Sequence, residues 1–167
     1  NPSTTYAKSG TYNSKLIITD NRNCKDTLQK TITVYPKPSA DFTFKNACSY
    51  DPIILTNSSS IASGSLTDYD WDFGNSTFGT SKNENVLYNT SGTFTVKLSV
   101  QSDKGCLDSA AKKVIAFDIP RAHFATKNVC LSDSISLANR SIDASTYQWD
   151  FGDKSGVSAS TNPSYLY

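Results

Sequence analysis

The chain has no methionine and only one histidine, His123, in its 167 residues. A catalytic site needs a nucleophile, a base and a group that orients the base, all brought into one cleft. The single imidazole stands on an alternating segment beside apolar Phe124, a parity that turns His123 toward solvent. No Gly-x-Ser-x-Gly, Walker-type or Gly-x-Gly-x-x-Gly sequence is present. Catalysis of these kinds is excluded, and no residue is a catalytic candidate. An excess of charge is also missing. Sixteen Lys and Arg stand against 15 Asp and Glu, for a net charge of +1, which excludes a nucleic acid or membrane surface attracted by net charge. No apolar run approaches the ~20 residues of a membrane-spanning helix. The four cysteines include no close pair, so they do not make a zinc site.

What is present is repetition. Tyr69-Asp70-Trp71-Asp72-Phe73-Gly74 returns as Tyr147-Gln148-Trp149-Asp150-Phe151-Gly152, and Cys24, Phe42 and Cys48 return as Cys106, Phe124 and Cys130. The period is about 80 residues, too long for a solenoid repeat and right for a small β-sandwich. Residues 1–37 match the back of a unit, residues 38–117 make a whole one, and residues 118–167 match the front of a third. A chain out of phase with its own units, with no Met and no signal peptide, is expected to be a piece of a longer polypeptide or part of a larger assembly. Its two partial units leave strand edges without partners, and such edges are sticky.

Period-two alternation is clear in Thr93-Phe94-Thr95-Val96-Lys97-Leu98-Ser99-Val100, where every second residue is apolar. Tyr12, Leu16 and Ile18 keep the pattern, with Ser14 the exception; Phe42 and Phe44, Ile53 and Leu55, and Tyr69, Trp71 and Phe73 alternate likewise. Turn formers separate these runs, as at Asp51-Pro52, Ser91-Gly92 and Asp103-Lys104-Gly105. No helical stripe is convincing. The pattern predicts an all-β, two-sheet sandwich whose core includes Phe42, Leu55, Trp71, Phe73, Tyr88 and Phe94, with Trp149 and Phe151 as counterparts in the third unit. Tyr88, ahead of Ser91-Gly92-Thr93-Phe94, stands where a tyrosine hydroxyl commonly ties back to a turn.

Trp71-Asp72-Phe73-Gly74, then Tyr88, then Gly92-Thr93-Phe94-Thr95-Val96 resemble the Trp-Asp-Phe-Gly … Tyr … Gly-Thr-Tyr-x-Val signature of PKD domains, Ig-like β-sandwiches of surface proteins. The usual Trp-Asp-Phe-Gly-Asp-Gly is only partly kept, as Trp-Asp-Phe-Gly-Asn-Ser at 71–76 and Trp-Asp-Phe-Gly-Asp-Lys at 149–154. The extra cysteine in each unit is similar to PKD arrays of Bacteroidetes-type bacteria, in large cell-surface and gliding-motility adhesins exported by the type IX route. Asp26-Thr27-Leu28, Asp108-Ser109-Ala110 and Asp133-Ser134-Ile135 match the short pattern that such bacteria O-glycosylate, making Thr27, Ser109 and Ser134 glycosylation candidates.

Four cysteines in two equivalent classes point to an oxidising compartment. Ig-like topology puts Cys48 and Cys106 at opposite ends of a sandwich, further apart than the ~7 Å between Cα atoms that a disulfide allows. Stacked end to end, the first-loop cysteine of one unit approaches the last-hairpin cysteine of the next. Cys24, Cys48, Cys106 and Cys130 are therefore candidates for staples between neighbouring domains, unpaired within the chain itself. The alternative is four buried reduced thiols.

Asp70, Asp72 and Asn75 cluster at one turn, and Asp150 and Asp153 at its counterpart. They are weak calcium candidates, because two or three oxygens fall short of the six to eight that calcium takes. The competing role is an Asp after Trp accepting turn N–H bonds; no other cofactor is implied. Tyr35, Tyr50 and Phe78 fall outside the core pattern and either pack at junctions or stack on sugars. Tyr35-Pro36-Lys37-Pro38 and Phe117-Asp118-Ile119-Pro120 are short, Pro-stiffened linkers.

The expected function is a non-catalytic stalk in an extracellular bacterial surface protein, stiff, with a share in adhesion or gliding. Its partners are neighbouring PKD-like domains and a polysaccharide or other surface ligand, with no nucleic acid and no membrane insertion. The alternative is an accessory spacer or binding module of an extracellular hydrolase. A third reading lets the front half-unit of one molecule complete the back half-unit of another.

Overall fold

The computed structural model describes residues 2–167; Asn1, which opens the first partial unit, lies outside them. Every regular element is a strand. β1 (Gly10–Thr19) and β2 (Lys25–Val34) form an antiparallel hairpin whose register runs from Gly10 opposite Val34 to Thr19 opposite Lys25. The Asp20 carboxylate accepts the N–H groups of Arg22 and Cys24, each at 2.8 Å, and fixes the turn. The register places Tyr12 opposite Ile32 and Leu16 opposite Leu28 on one face, with Asn13, Lys15, Gln29 and Thr31 on the other.

The central unit begins with β3 (Phe42–Phe44), β4 (Ala47–Cys48) and β5 (Pro52–Asn57). β6 (Leu66–Asp72), β7 (Phe78–Gly79) and β8 (Glu84–Leu87) follow, and the long hairpin β9 (Gly92–Ser102) and β10 (Leu107–Phe117) completes it. One sheet has the order β4-β10-β9-β6-β7 and the other β3-β5-β8. This is a two-sheet β-sandwich. The first strand switches sheets after Phe44, because Asn46 accepts the Ile115 N–H at 2.9 Å and steers Ala47 and Cys48 alongside β10, parallel to it. The register between β6 and β9 shifts between Leu66 and Asp68.

The alternating side chains meet between the sheets. Phe42, Leu55, Val96, Leu98 and Val114 are fully buried, and Trp71 is 1 % exposed. Phe42 meets the Trp71 indole edge to face, with centroids 5.2 Å apart, and Trp71 Nε1 donates to the Ser81 carbonyl at 2.9 Å. The indole thus contributes a large apolar body without orphaning its one polar atom. Phe94 is only half-buried, at the rim, stacked on Tyr88 at 3.8 Å.

Tyr88 is buried, and its hydroxyl donates to the Phe73 carbonyl at 2.7 Å, tying two turns together across the end of the sandwich. Burial first, and the nearby Asp72 charge second, push the phenol up to about 12. Tyr88→Phe is expected to cost about 1–2 kcal/mol in urea unfolding, because the Phe73 carbonyl loses its donor. The raised value also fixes a sign. Between about pH 10 and 12 the unfolded chain gives up this proton and the native one keeps it, so stability falls as pH rises through that window. Below pH 10 the contribution is fully present. The wild type should lose on the order of 2 kcal/mol more than Tyr88→Phe between those limits, in urea midpoints at each pH.

The third unit contains β11 (Phe124–Ala125), β12 (Ile135–Ser136), β13 (Ala138–Asn139), β14 (Trp149–Asp150), β15 (Val157–Ser158) and β16 (Ser164–Tyr165). They pair as β11-β13, β12-β16 and β14-β15. Its local geometry repeats that of the central unit. Phe124 and Trp149 meet edge to face at 5.2 Å, Trp149 Nε1 donates to the Ser160 carbonyl at 2.8 Å, and the Tyr167 hydroxyl donates to the Phe151 carbonyl at 2.8 Å. Burial differs: Trp149 and Phe151 are half-buried and Phe124 is exposed, because among the described residues no hairpin like β9–β10 covers them.

Candidate functional site: the junctions between units

Two clusters of bonded polar groups lie where one unit meets the next. Asp108, on β10, accepts the Ala40 N–H at 2.9 Å and pairs with Lys37 Nζ at 2.8 Å. The Ala40 N–H, and then Lys37, hold its carboxyl below the usual carboxylate range. Pro38 between them is buried, and Lys104 Nζ lies 5.9 Å from the centre of the Tyr35 ring. The linker before the central unit is therefore clamped against the β9–β10 turn. At the other end the Ser91 hydroxyl bonds to Asp118, the Ser49 N–H donates to the Phe117 carbonyl at 2.8 Å, and the Tyr50 N–H donates to the Tyr88 carbonyl at 2.8 Å. An open cleft of about 630 Å³ lies here, lined by Tyr50, Ser91, Asp118, Arg121, Ile142 and Asp143.

Inside the unit, Lys112 Nζ reaches the Asp41 carboxylate at 2.7 Å and the Phe42 carbonyl at 2.5 Å, closing the sandwich edge. Lys112, chiefly by hydrogen bonding, holds the Asp41 carboxyl below its usual value.

All four cysteines are free thiols, with Cys24 and Cys130 exposed and Cys48 and Cys106 half-buried. Cys48 lies opposite Phe117 at one end of β10, and Cys106 precedes Leu107 at the other. That separation is roughly 35 Å at about 3.3 Å per residue, so a Cys48–Cys106 bridge within one unit is ruled out.

Thr27, Ser109 and Ser134 are all exposed, and Thr27 and Ser109 hold equivalent places on the outer face of their hairpins. Asp108, which precedes Ser109, has a structural task of its own in the linker clamp. Asp72 accepts the Gly74 N–H at 2.9 Å, and Asp150 accepts the Gly152 N–H at 2.8 Å. Asn75 accepts both the N–H and the hydroxyl of Thr77. Asp153 is held at about 2 by Ser155 and then by Tyr165, whose hydroxyl donates to it at 2.6 Å. One oxygen each of Asp72 and Asp150 is thus engaged by its own turn, and the two of Asp153 by Ser155 and Tyr165, while Asp70 is exposed on β6. His123 is exposed, and its carbonyl accepts the Arg140 N–H at 2.7 Å. Among the aromatics outside the core, Tyr50 and Tyr35 lie at the two junctions, and Phe78 stands 72 % exposed on edge strand β7.

Sequence reading missed the clamp. The recurrence of Asp26 and Asp108 was its one signal, and it coincides with a pattern that reads as a modification site. A side-chain contact across 68 residues leaves no local periodicity to detect.

The sheet order, the buried tryptophan and the tied tyrosine define an Ig-like β-sandwich module. Residues 35–117 match the PKD domain family, so the chain carries a PKD domain over that span. It is similar, at 28% identity and a TM-score of 0.47, to the PKD1 domain of Vibrio anguillarum Epp, over 50% of this chain and 96% of that one. The PKD1 domain from Vibrio cholerae metalloprotease PrtV is also 28% identical, with a TM-score of 0.45, over 50% of this chain and 99% of that one. A carbohydrate-binding module of the β-sandwich superfamily is 18% identical, with a TM-score of 0.48, over 60% of this chain and 54% of that one.

Proposed function

We propose that the chain works as a stiff, non-catalytic stalk of PKD-type units in an extracellular bacterial surface protein, holding an adhesive or motile part away from the cell. The observation that carries this reading is the linker clamp. Asp108 holds both Lys37 and the Ala40 N–H, Lys104 caps Tyr35, and Pro38 is buried between them. A linker held by its own domain removes the bending freedom that a free linker of a few residues retains. The placement in a Bacteroidetes-type array exported by the type IX route rests on the recurring cysteines and on the exposed Thr27, Ser109 and Ser134 triplets.

The test is small-angle X-ray scattering of the whole chain against Asp108→Ala. The wild type should give a distance distribution fitted by one orientation of hairpin and central unit. Asp108→Ala should broaden it while the urea midpoint of the central unit falls by no more than about 1–2 kcal/mol, the range for a partly exposed charge-assisted contact. Identical profiles for the two proteins would refute the clamp as the source of stiffness.

A further inference from the structure

The point where the first strand changes sheets leaves a groove on the outside of the central unit. β3 pairs with β5 from Phe42 opposite Asn57 to Phe44 opposite Leu55, and the chain then departs to lay Ala47 and Cys48 beside β10. β5 extends past Leu55 to Pro52, with β8 along one side and the departing chain drawing away on the other. Ile53 and Leu55 are buried, so parity turns Pro52, Ile54 and Thr56 outward. Between these and Lys45 lies an open groove of about 450 Å³, lined also by Thr43 and Asn46. All the strands of the central sandwich are in place around it, so it is a feature of the finished unit.

The same groove returns one repeat on. β11 pairs with β13 through Ala125 opposite Ala138, and an open space of about 420 Å³ there is lined by Ala125, Lys127, Ser134, Ser136 and Ala138. These are the counterparts of Thr43, Lys45, Pro52, Ile54 and Thr56.

What recurs, and what does not, separates the possible occupants. A lysine recurs, and so do hydroxyls: Thr43 and Thr56 line one groove, and Thr126, Ser134 and Ser136 the other. Arg140 adds a second cation to the latter. No carboxylate lines either groove, and neither lysine nor Arg140 is in an ion pair among the described residues. The apolar surface does not recur, because Pro52 and Ile54 give way to serines. A docked peptide strand takes its specificity from pockets for alternate side chains, and the two grooves do not offer the same pockets. Cations and hydroxyls without carboxylates suit a ligand that carries both negative charge and hydroxyls of its own. A site repeated along the protein suits a ligand that is itself a repeat.

We propose that the two grooves bind an acidic polysaccharide, one whose sugars carry carboxylates. Lys45 and Lys127 each face a carboxylate, and the threonine and serine hydroxyls hydrogen-bond to those of the sugar rings. Tyr35, Tyr50 and Phe78 line neither groove. The grooves carry this without the linker clamp, so its failure would leave the stalk reading untouched. An exposed lysine–carboxylate contact is weak by itself, so a short oligosaccharide is held loosely in either groove. A polymer that engages both gains about a hundredfold or more from the linkage.

The test is nitrogen-15 NMR titration of the whole chain with trigalacturonate, followed by binding to immobilised polygalacturonate. Trigalacturonate should shift amides around Lys45 and, separately, around Lys127. Lys45→Ala should abolish the first set and leave the second. On the polymer, Lys45→Ala or Lys127→Ala should weaken binding about tenfold or more, since either leaves a single groove engaged. Both lysines are exposed, so the variants should keep the wild-type urea midpoint. Lys82→Ala removes the same charge from an exposed loop outside both grooves and should leave binding unchanged. Added salt should weaken binding, because the paired charges are exposed. Equal losses from Lys82→Ala and Lys45→Ala would reduce the attraction to net charge and overturn the proposal. So would shifts confined to residues outside the grooves, or equal binding to neutral dextran. Equal binding to polyglutamate would overturn it in favour of an acidic peptide.

Discussion

Trp71→Ala is expected to unfold the central sandwich at room temperature or leave it on the edge of unfolding. The indole is 1 % exposed, touches Phe42 edge to face, and donates to the Ser81 carbonyl. Truncating a buried tryptophan costs about 3–5 kcal/mol, from lost transfer energy and the cavity left behind. An orphaned Ser81 carbonyl adds to that where water does not reach it. A unit of some 80 residues stands near the low end of the ~5–15 kcal/mol that domains have to lose. Trp149→Ala should cost well under half as much, because the same edge-to-face contact and the same indole hydrogen bond are there half-buried. The measurement is urea unfolding by far-UV circular dichroism. The remaining indole serves as a local probe, Trp149 fluorescence reporting the third unit when Trp71 is gone. Equal midpoints for Trp71→Ala and the wild type would remove the indole from the centre of the fold.

The all-β sandwich was legible because its signal is local. Phe94, Val96, Leu98 and Val100 alternate with polar residues on a strand that has one face to the core, and the turn formers at Ser91-Gly92 and Asp103-Lys104-Gly105 bracket it. Recurrence of the Trp-Asp-Phe-Gly run then supplied the period. What escaped depends on distant partners. The sheet switch into β4 covers two residues, too short for any periodicity, and rests on Asn46 meeting Ile115. The register shift near Leu66 depends on how β6 meets β9. At the junctions, the Asp108 carboxylate acts through Lys37 and Ala40, far away in the sequence but adjacent in space. Sequence parity also treats Leu16 and Leu98 alike, although one is exposed and the other fully buried. Alternation shows which face of a strand is apolar; it does not show whether anything covers that face.

Gly74→Ala is expected to cost at least ~3 kcal/mol, and its counterpart Gly152→Ala far less, the difference coming from what lies beside the turn rather than from the turn itself. Both glycines follow a Trp-Asp-Phe run with φ in the left-handed region, 73° at Gly74 and 84° at Gly152. That conformation alone costs an alanine about 1 kcal/mol at either site. At Gly74 a Cβ would also lie 2.6 Å from the Thr95 carbonyl oxygen and 3.0 Å from the Thr95 nitrogen. Those are backbone atoms of β9, locked in the central sheet, and moving them disturbs the strand that carries Val96 and Leu98 into the core. At Gly152 a Cβ would meet nothing within 4 Å. Urea midpoints of the two variants should differ accordingly. Gly152→Ala should leave the midpoint within about 1 kcal/mol of wild type. Equal losses at the two glycines would mean that the Thr95 backbone does not set the cost at Gly74.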